Sequence, residues 1–197
     1  MIDPQEADRL ALLARQGDAP ALARLYREFA PAVLAYLRRA TGELSASEDL
    51  LHDVFLHLMQ GRGGYSGRGR FRQWLFALAV NAARDQARRL RSQNRLAERL
   101  AQAQAPAPAH APSADVAVAD RETVRQIEAM LADLPAEYAA AFHLRVREEF
   151  TYREMAEMTG DPEGTLRSRV HHTLKRLRAR LAVPTGRPEG KTESEMS

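Results

Sequence analysis

Residues 151–181 place two short helical patterns on either side of a tight turn. Gly160 can end the first helix, and Asp161-Pro162 can begin the second as an N-cap residue followed by a proline in the first turn. Leucine and valine then recur every three or four residues, which places them on one face of a helix. These residues are Leu166, Val170, Leu174, Leu177 and Leu181. The pattern predicts a helix-turn-helix.

The second of these helices is strongly basic. Six Arg or Lys and no acid lie between Gly164 and Leu181. A helix of this size fits the major groove of DNA, where basic side chains contact phosphates and base edges. The alternative is that the charges only solvate the outer face of a core helix. A turn of this design directly before an acid-free helix favours DNA binding.

Helical spacing of apolar residues continues through most of the chain, so the sequence predicts an all-α fold. Asp18 can cap a long helix, and a further helix can begin at Phe71. Between them, Ser45-Ala46-Ser47-Glu48 matches a capping box that opens another helix. The buried side of that helix is predicted to hold Leu51, Val54, Phe55 and Leu58.

Two segments have the composition of connections rather than of helices. Residues 61–70 contain five glycines and three arginines, which predicts a loop. Residues 101–119 are low in complexity and rich in Ala and Pro, which predicts a flexible or partly extended linker. We therefore expect two small helical domains joined by a flexible linker.

The charges are strongly segregated although the formal net charge is only +3. Residues 62–99 hold ten Arg against two acids, whereas residues 43–58 hold four acids and no Lys or Arg. This polarity predicts a nucleic acid as the partner of the basic surfaces and a protein as the partner of the acidic one.

The sequence indicates a cytoplasmic location. It contains no cysteine, which excludes disulfides and thiolate metal sites. No signal-peptide pattern is visible, and no stretch approaches the roughly 20 apolar residues that span a bilayer.

Three segments together resemble bacterial sigma factors, specifically the extracytoplasmic-function (ECF) group of the sigma-70 family. Residues 45–58, SASEDLLHDVFLHL, resemble the family's polymerase-binding helix. Residues 71–91, which begin FRQWLFALAVNAARD, resemble its promoter-melting helix. Residues 134–181 resemble its fourth conserved region. The segments follow the family's order and spacing.

The resemblance implies a promoter-specificity subunit with two helical domains. Residues 1–97 would form the region 2 bundle, which binds core polymerase and recognises and melts the minus-ten element. Residues 98–120 would be the linker, residues 121–183 the region 4 helix-turn-helix domain that recognises the minus-thirty-five element, and residues 184–197 a disordered tail. The implied partners are core RNA polymerase, promoter DNA and an anti-sigma factor. The family implies no catalytic residue, metal, cofactor or small-molecule substrate, and we expect a monomer before holoenzyme assembly.

The resemblance also assigns residues to three sites. The residues implied to contact core polymerase are Glu48, Asp49, Asp53, Phe55 and Leu58. Those implied to contact the minus-ten element are Tyr65, Arg68, Arg70, Arg72, Trp74, Asn81, Arg84, Asp85 and Arg88. Those implied to contact the minus-thirty-five element are Thr165, Arg167, Ser168, Arg169, His171, His172 and Lys175. Physical reasoning supports these roles less specifically, since helical arginines neutralise phosphates and melted bases need stacking groups and backbone donors.

The two aromatic candidates, Trp74 and Tyr65, differ in how exposed their rings are predicted to be. Trp74 lies beside Phe71 and Leu75, so a core position is favoured over a base platform. Tyr65 lies in the loop and is predicted to be the freer aromatic. We expect this Gly-rich loop to capture an unstacked base as the promoter opens.

Four positions depart from the family's usual pattern. His52 replaces a glutamine and Asp53 a glutamate, which retunes the polymerase contacts but keeps their acidic character. Asp161 replaces an apolar turn residue, and its capping ability offers a local explanation. His172 stands where arginine is common, so it can supply a pH-dependent phosphate contact or a neutral hydrogen bond.

Two other classes of function fit parts of the chain. Asp49 and His52 have the spacing of a di-metal helical site, but no second such pair follows, and we find no nucleophile motif or phosphate loop. We call the two predicted helical domains, before and after the linker, the first and the second lobe. A stand-alone helix-turn-helix regulator would need only the second lobe. It would leave the acidic helix, the Arg-Gly loop and the basic helix of the first lobe without a role.

Overall fold

The computed structural model describes residues 2–61, 65, 67, 69–100, 127, 129–131 and 133–181, with the backbone alone at 94–100 and 181. The predicted all-α fold is confirmed, since this part of the chain contains helices and no strand. The helices are α1 (Pro4–Arg15), α2 (Ala19–Thr41), α3 (Leu44–Met59), α4 (Phe71–Leu100), α5 (Ala136–Phe142), α6 (Tyr152–Thr159) and α7 (Glu163–Leu181). α5 continues into a π-helical segment, His143–Arg147.

The helix boundaries show which local predictions hold. Asp18 caps α2 by accepting a hydrogen bond of 2.8 Å from the amide of Ala21. The predicted capping box at the start of α3 is wrong, because the helix begins at Leu44 and its N-cap is Glu43. The serine hydroxyls there contact Glu43 and Thr41 instead.

The turn between α6 and α7 begins as predicted but uses Asp161 differently. Gly160 ends α6 in the left-handed conformation, with φ 72°. α7 begins at Glu163, and the carbonyl of Pro162 accepts its first backbone hydrogen bond, 3.2 Å from the amide of Leu166. The Asp161 carboxylate pairs with arginine side chains instead. A capping box that the sequence analysis missed opens α6, where Thr151 and Glu154 cap each other's backbone.

The first lobe packs α1 to α4 around one apolar core. Leu25, Val33 and Leu37 of α2 are fully buried, as are Leu58 of α3 and Leu75 of α4. Each such leucine or valine contributes about 1.5–3 kcal/mol by leaving water. α2 is in contact with all three other helices of the lobe, so it forms the centre of the bundle.

α4 is buried on two faces. The apolar spacing of Phe71, Leu75, Leu78 and Ala82 predicts one inner face, and its first two residues, Phe71 and Leu75, are buried. Phe76 and Val80 are buried as well, because α4 contacts α2 on one side and α6 on another. The ring of Phe76 lies 5.2 Å from the ring of Phe150 in the second lobe, so the two lobes share one apolar core.

The domain boundaries stay predictions. α4 continues to Leu100, so helix extends into the start of the predicted linker at residues 98–120. Residues 101–120 and the predicted tail at 184–197 lie outside the described residues.

Candidate nucleic-acid and polymerase interfaces

α7 displays a basic surface on the second lobe. Leu166, Val170 and Leu177 are buried along the predicted apolar stripe. The opposite side leaves most of the predicted minus-thirty-five residues exposed, namely Thr165, Arg167, Ser168, His171, His172 and Lys175. This helix can therefore approach DNA with its positive side chains facing outward.

Two aromatic rings hold side chains of this surface. The guanidinium of Arg167 lies 5.2 Å from the ring centre of Tyr152, at the start of α6. His172 packs edge-on against Tyr138, with 5.2 Å between ring centres. A cation above an aromatic ring is attracted to it, so Arg167 is partly oriented before DNA arrives.

Arg72 of α4 is bound by the second lobe. Its Nη2 donates to the Glu148 carboxylate at 2.6 Å and to the Glu148 carbonyl at 2.7 Å. The same guanidinium lies 4.3 Å from the ring centre of Phe150. Nε2 of His143 lies 3.2 Å from the other carboxylate oxygen of Glu148. Burial opposes ionisation of Glu148, but the neighbouring His143 and Arg72 outweigh it and hold the pKa of this carboxyl below its ordinary value.

Arg84, twelve residues after Arg72 on α4, is also bound by the second lobe. Its Nη2 lies 2.7 Å from the carboxylate of Asp161, and its Nη1 donates to the carbonyl of Thr159. The same Asp161 oxygen accepts from Arg169 of α7 at 2.6 Å. Asp161 therefore joins the predicted minus-ten helix to the predicted minus-thirty-five helix.

The remaining non-aromatic minus-ten candidates that the structure describes, on α4 and just before it, are more accessible than Arg72 and Arg84. Arg70 lies 3.6 Å from Glu157 of α6, and both side chains are well exposed. Asn81 is exposed, while Arg88 pairs with Asp85 on the surface of α4 itself. Arg68 lies outside the described residues.

The prediction that Tyr65 is the freer aromatic is wrong. Its side chain is 7% exposed and packs against Phe71 and Trp74, with ring centres 5.5 and 5.1 Å away. Its hydroxyl donates to Asp8 of α1. Burial and this hydrogen bond raise the pKa of the Tyr65 hydroxyl above its ordinary value. Trp74 is half-buried and packs against the apolar core, as the sequence favoured.

The acidic face of α3 points to solvent. Glu48, Asp49 and Asp53 are exposed, and no Lys or Arg among the described residues pairs with them. Phe55 and Leu58 do not share this surface, because they are buried in the first-lobe core. The prediction that Phe55 and Leu58 contact core polymerase is therefore corrected: their side chains pack in the core and hold α3 in place.

The sequence did not predict that Glu148, Glu157 and Asp161 contact arginine side chains across the two lobes, nor that Asp8 contacts the loop. Asp161 was recognised as unusual but was interpreted as a cap. Within the described ranges, no helix is long and apolar enough to cross a membrane, and no group of three or more His, Asp or Glu is arranged to hold a metal ion.

Comparison with known proteins identifies the family. The Sigma-70 region 2 family matches residues 25–93, and the Sigma-70 region 4 family matches residues 124–177. RNA polymerase sigma factor CarQ of Myxococcus xanthus is 32% identical over 167 residues, which cover 85% of this chain and 92% of CarQ. This chain belongs to the sigma-70 family. Its relatives include ECF sigma factor RpoE of Cereibacter sphaeroides, 30% identical over 170 residues that cover 84% of this chain and 88% of that protein.

Two solved structures share the fold. CnrH, in complex with the cytosolic domain of CnrY, has a TM-score of 0.60 at 18% identity and covers 89% of this chain. RpoE of Bartonella quintana, in complex with the anti-sigma factor NepR, has a TM-score of 0.60 at 20% identity and covers 82%. The family matches and the ECF relatives support an ECF sigma factor that directs promoter-specific transcription. They favour this function over a stand-alone helix-turn-helix regulator, because both sigma regions are present.

Proposed function

We propose that this sigma factor binds core RNA polymerase through the exposed acids of α3 and contacts promoter DNA through α4 and α7. One observation carries the proposal. Glu48, Asp49 and Asp53 lie side by side on an exposed helix face without a basic partner in the described structure, whereas the second-lobe acids Glu148 and Asp161 are paired. An unpaired acidic face fits a basic protein surface and has no use in a protein that binds only DNA.

The minus-thirty-five element would be read by α7. Arg167, Ser168 and His171 lie exposed in the first half of the helix, and Lys175 follows further along. Arginine held in one orientation can bind a guanine edge with two hydrogen bonds, while lysine acts as a point charge toward phosphate. We therefore assign base reading to Arg167 and phosphate contact to Lys175.

The minus-ten element would be bound by α4 after the lobes separate. Arg72 and Arg84 face Glu148 and Asp161 here, so carboxylates hold the positions that DNA phosphates would take. A phosphate that took the place of either carboxylate would break its pair with the arginine, so promoter binding through these two side chains would part the lobes. We call the arrangement in which Arg72 and Arg84 pair with the second lobe the closed arrangement. In this proposal it is the form of the protein without DNA.

The Gly-rich loop would capture an unstacked base with its backbone and with Arg70. Tyr65 does not provide the stacking surface in this arrangement, because its ring is buried against Phe71 and Trp74. It anchors the loop instead. The left-handed glycines Gly67 and Gly69, with φ 66° and 72°, let the backbone approach a base closely.

The proposed cellular location and oligomeric state follow from these partners. We place the protein in the cytoplasm, where polymerase and DNA are found, as a monomer that joins the holoenzyme and has no catalytic role of its own. Because NepR is an anti-sigma factor bound to one of the similar structures, we propose an anti-sigma factor as a further partner.

Co-purification with core RNA polymerase tests the proposal. The tagged chain should retain core polymerase, and the complex should transcribe from a promoter that core polymerase alone ignores. A chain that bound promoter duplex tightly but did not retain the polymerase would be a stand-alone regulator.

A further inference from the structure

One face of α1 contacts the Gly-rich loop at several points. Asp8, Leu12 and Arg15 follow at steps of four and three, so they lie on one side of the helix. This helix precedes the part of the chain that matches Sigma-70 region 2, residues 25–93. The α1 side of these contacts therefore lies outside the matched range, while the loop lies within it.

Asp8 binds two separate points of the loop. One carboxylate oxygen accepts from the hydroxyl of Tyr65, and the other accepts from the backbone amide of Gly69. The residue is 8% exposed, and no Lys or Arg within the described ranges pairs with it. A buried carboxylate is costly unless it is hydrogen-bonded, so the fold keeps this charge where the loop can satisfy it.

Leu12 and Arg15 contact the loop from positions further along α1. Nη1 of Arg15 donates to the carbonyl of Tyr65 at 2.8 Å. A Cβ atom added at Gly61 would come within 3.1 Å of the Arg15 guanidinium, and one at Gly67 within 3.4 Å of Leu12. The loop backbone therefore lies directly against α1 at the positions where glycine allows it.

A loop so rich in glycine has many conformations available when nothing holds it. Its hydrogen bonds to Asp8 and Arg15, together with the aromatic anchor of Tyr65, select one of them. Selecting the bound shape in advance removes part of the ordering cost when a ligand arrives. The ligand in this case would be the unstacked minus-ten base.

We propose that Asp8, Leu12 and Arg15 clamp the loop in the shape required for promoter opening, and that Asp8 is the positioning residue for minus-ten base selection. The inference rests on the proposed role of the loop. Asp8 itself contacts no DNA in this account and acts through Tyr65 and Gly69.

The test uses reconstituted holoenzyme with wild-type protein, Asp8→Ala and Asp3→Ala. Asp3 caps the same helix by accepting from the amide of Gln5 at 3.2 Å, and its side chain has no described contact with the loop. Losing that cap weakens α1 without releasing the clamp. Three quantities are measured: closed-complex affinity, the rate at which unpaired thymines become reactive to permanganate, and the preference among minus-ten base substitutions.

We expect Asp8→Ala to keep the closed-complex affinity but to open the promoter about tenfold more slowly, since small misplacements of positioning groups cost that much or more. Its preference among minus-ten bases should also decline, and hydrogen exchange at the Gly69 amide should accelerate. Asp3→Ala should match the wild type in opening and base preference. If Asp8→Ala and Asp3→Ala open equally fast with the same base preference, the clamp is refuted.

Tyr65→Phe keeps the claim testable if Asp8→Ala does not fold. This change keeps the ring packed against Phe71 and Trp74 but removes the hydroxyl that Asp8 accepts from. Like Asp8→Ala, it should slow promoter opening and reduce the preference among minus-ten bases. Wild-type behaviour of Tyr65→Phe would refute the clamp. A wild-type holoenzyme that cannot open its promoter would contradict the proposed function itself. This outcome differs from failure of the clamp, in which the wild type opens its promoter and the variants match it.

Discussion

Arg84 and Asp161 join the two lobes through an ion pair of 2.7 Å between Nη2 and the carboxylate. Asp161 also pairs with Arg169, so one carboxylate contacts an arginine from each predicted DNA-binding helix. The unusual acid in the turn of the helix-turn-helix therefore explains how α4 and α7 are held together. It also links the release of one helix to the release of the other.

Removing this acid should loosen the closed arrangement. We expect Asp161→Ala to lower the free energy of unfolding by about 1–2 kcal/mol, because it breaks two partly exposed charged hydrogen bonds. The radius of gyration from small-angle scattering should rise, and affinity for promoter DNA should increase because Arg84 and Arg169 become available. Asp133→Ala is the matched control, since it removes a 2.7 Å pair with Arg180 inside the second lobe. Equal scattering and DNA affinity for both variants would show that Asp161 does not hold the lobes together.

The contact between Glu148 and Arg72 should make the closed arrangement sensitive to acid. The pKa of Glu148 is lowered from an ordinary value of 4.5, so its ionised form stabilises the fold above that pH. This contribution is lost as the pH falls below 4.5 through the lowered pKa. Thermal melts of wild type and Glu148→Gln should therefore differ most at neutral pH and converge as the pH falls below 4.5. A difference that stays constant over this range would show that Glu148 contributes by packing rather than by charge.

Sequence reasoning predicts the elements that depend on neighbouring residues. The apolar stripe of α7, the Asp18 cap and the Gly160 turn each involve residues a few positions apart, so periodicity and capping rules suffice. The second buried face of α4 was not predicted, because its partner α6 is distant in sequence.

The features of the candidate sites were likewise predicted where they depend on residues close in sequence and not where they depend on distant residues. The exposed basic face of α7 and the exposed acidic face of α3 follow from helical periodicity. The burial of Tyr65 could not be predicted, because it depends on Asp8, 57 positions away. The pairing of Arg84 with Asp161 spans 77 positions, and no local pattern indicates which charges meet across two lobes.

Two substitutions on α7 should separate base reading from phosphate contact. Arg167→Ala should weaken binding to the matched upstream element by about 1–3 kcal/mol and relax its sequence preference. Lys175→Ala should weaken matched and scrambled elements alike and reduce the salt dependence of binding. Fluorescence anisotropy with both duplexes measures these effects. Equal losses on both duplexes for Arg167→Ala would make it a phosphate contact instead.

Charge reversal on α3 should impair assembly with the polymerase. Asp49→Lys with Asp53→Lys places two positive charges on the exposed face of α3, and a basic partner surface would repel them. Pull-down titration should show weaker retention of core polymerase while circular dichroism stays helical. Glu137→Lys, at an exposed acid of the second lobe, should retain the polymerase normally. Normal retention by the double variant would remove both aspartates from the interface.

Promoter opening by the reconstituted holoenzyme tests the central claim most directly, because it requires polymerase binding, upstream recognition and strand separation together. Core RNA polymerase is incubated with this protein and a duplex bearing its promoter, and permanganate detects unpaired thymines at the minus-ten element. We expect reactivity there only when both the protein and the polymerase are present, and we expect its loss when the upstream element is scrambled. Reactivity that does not depend on this protein, or firm duplex binding by the protein without any opening in the holoenzyme, would contradict the account.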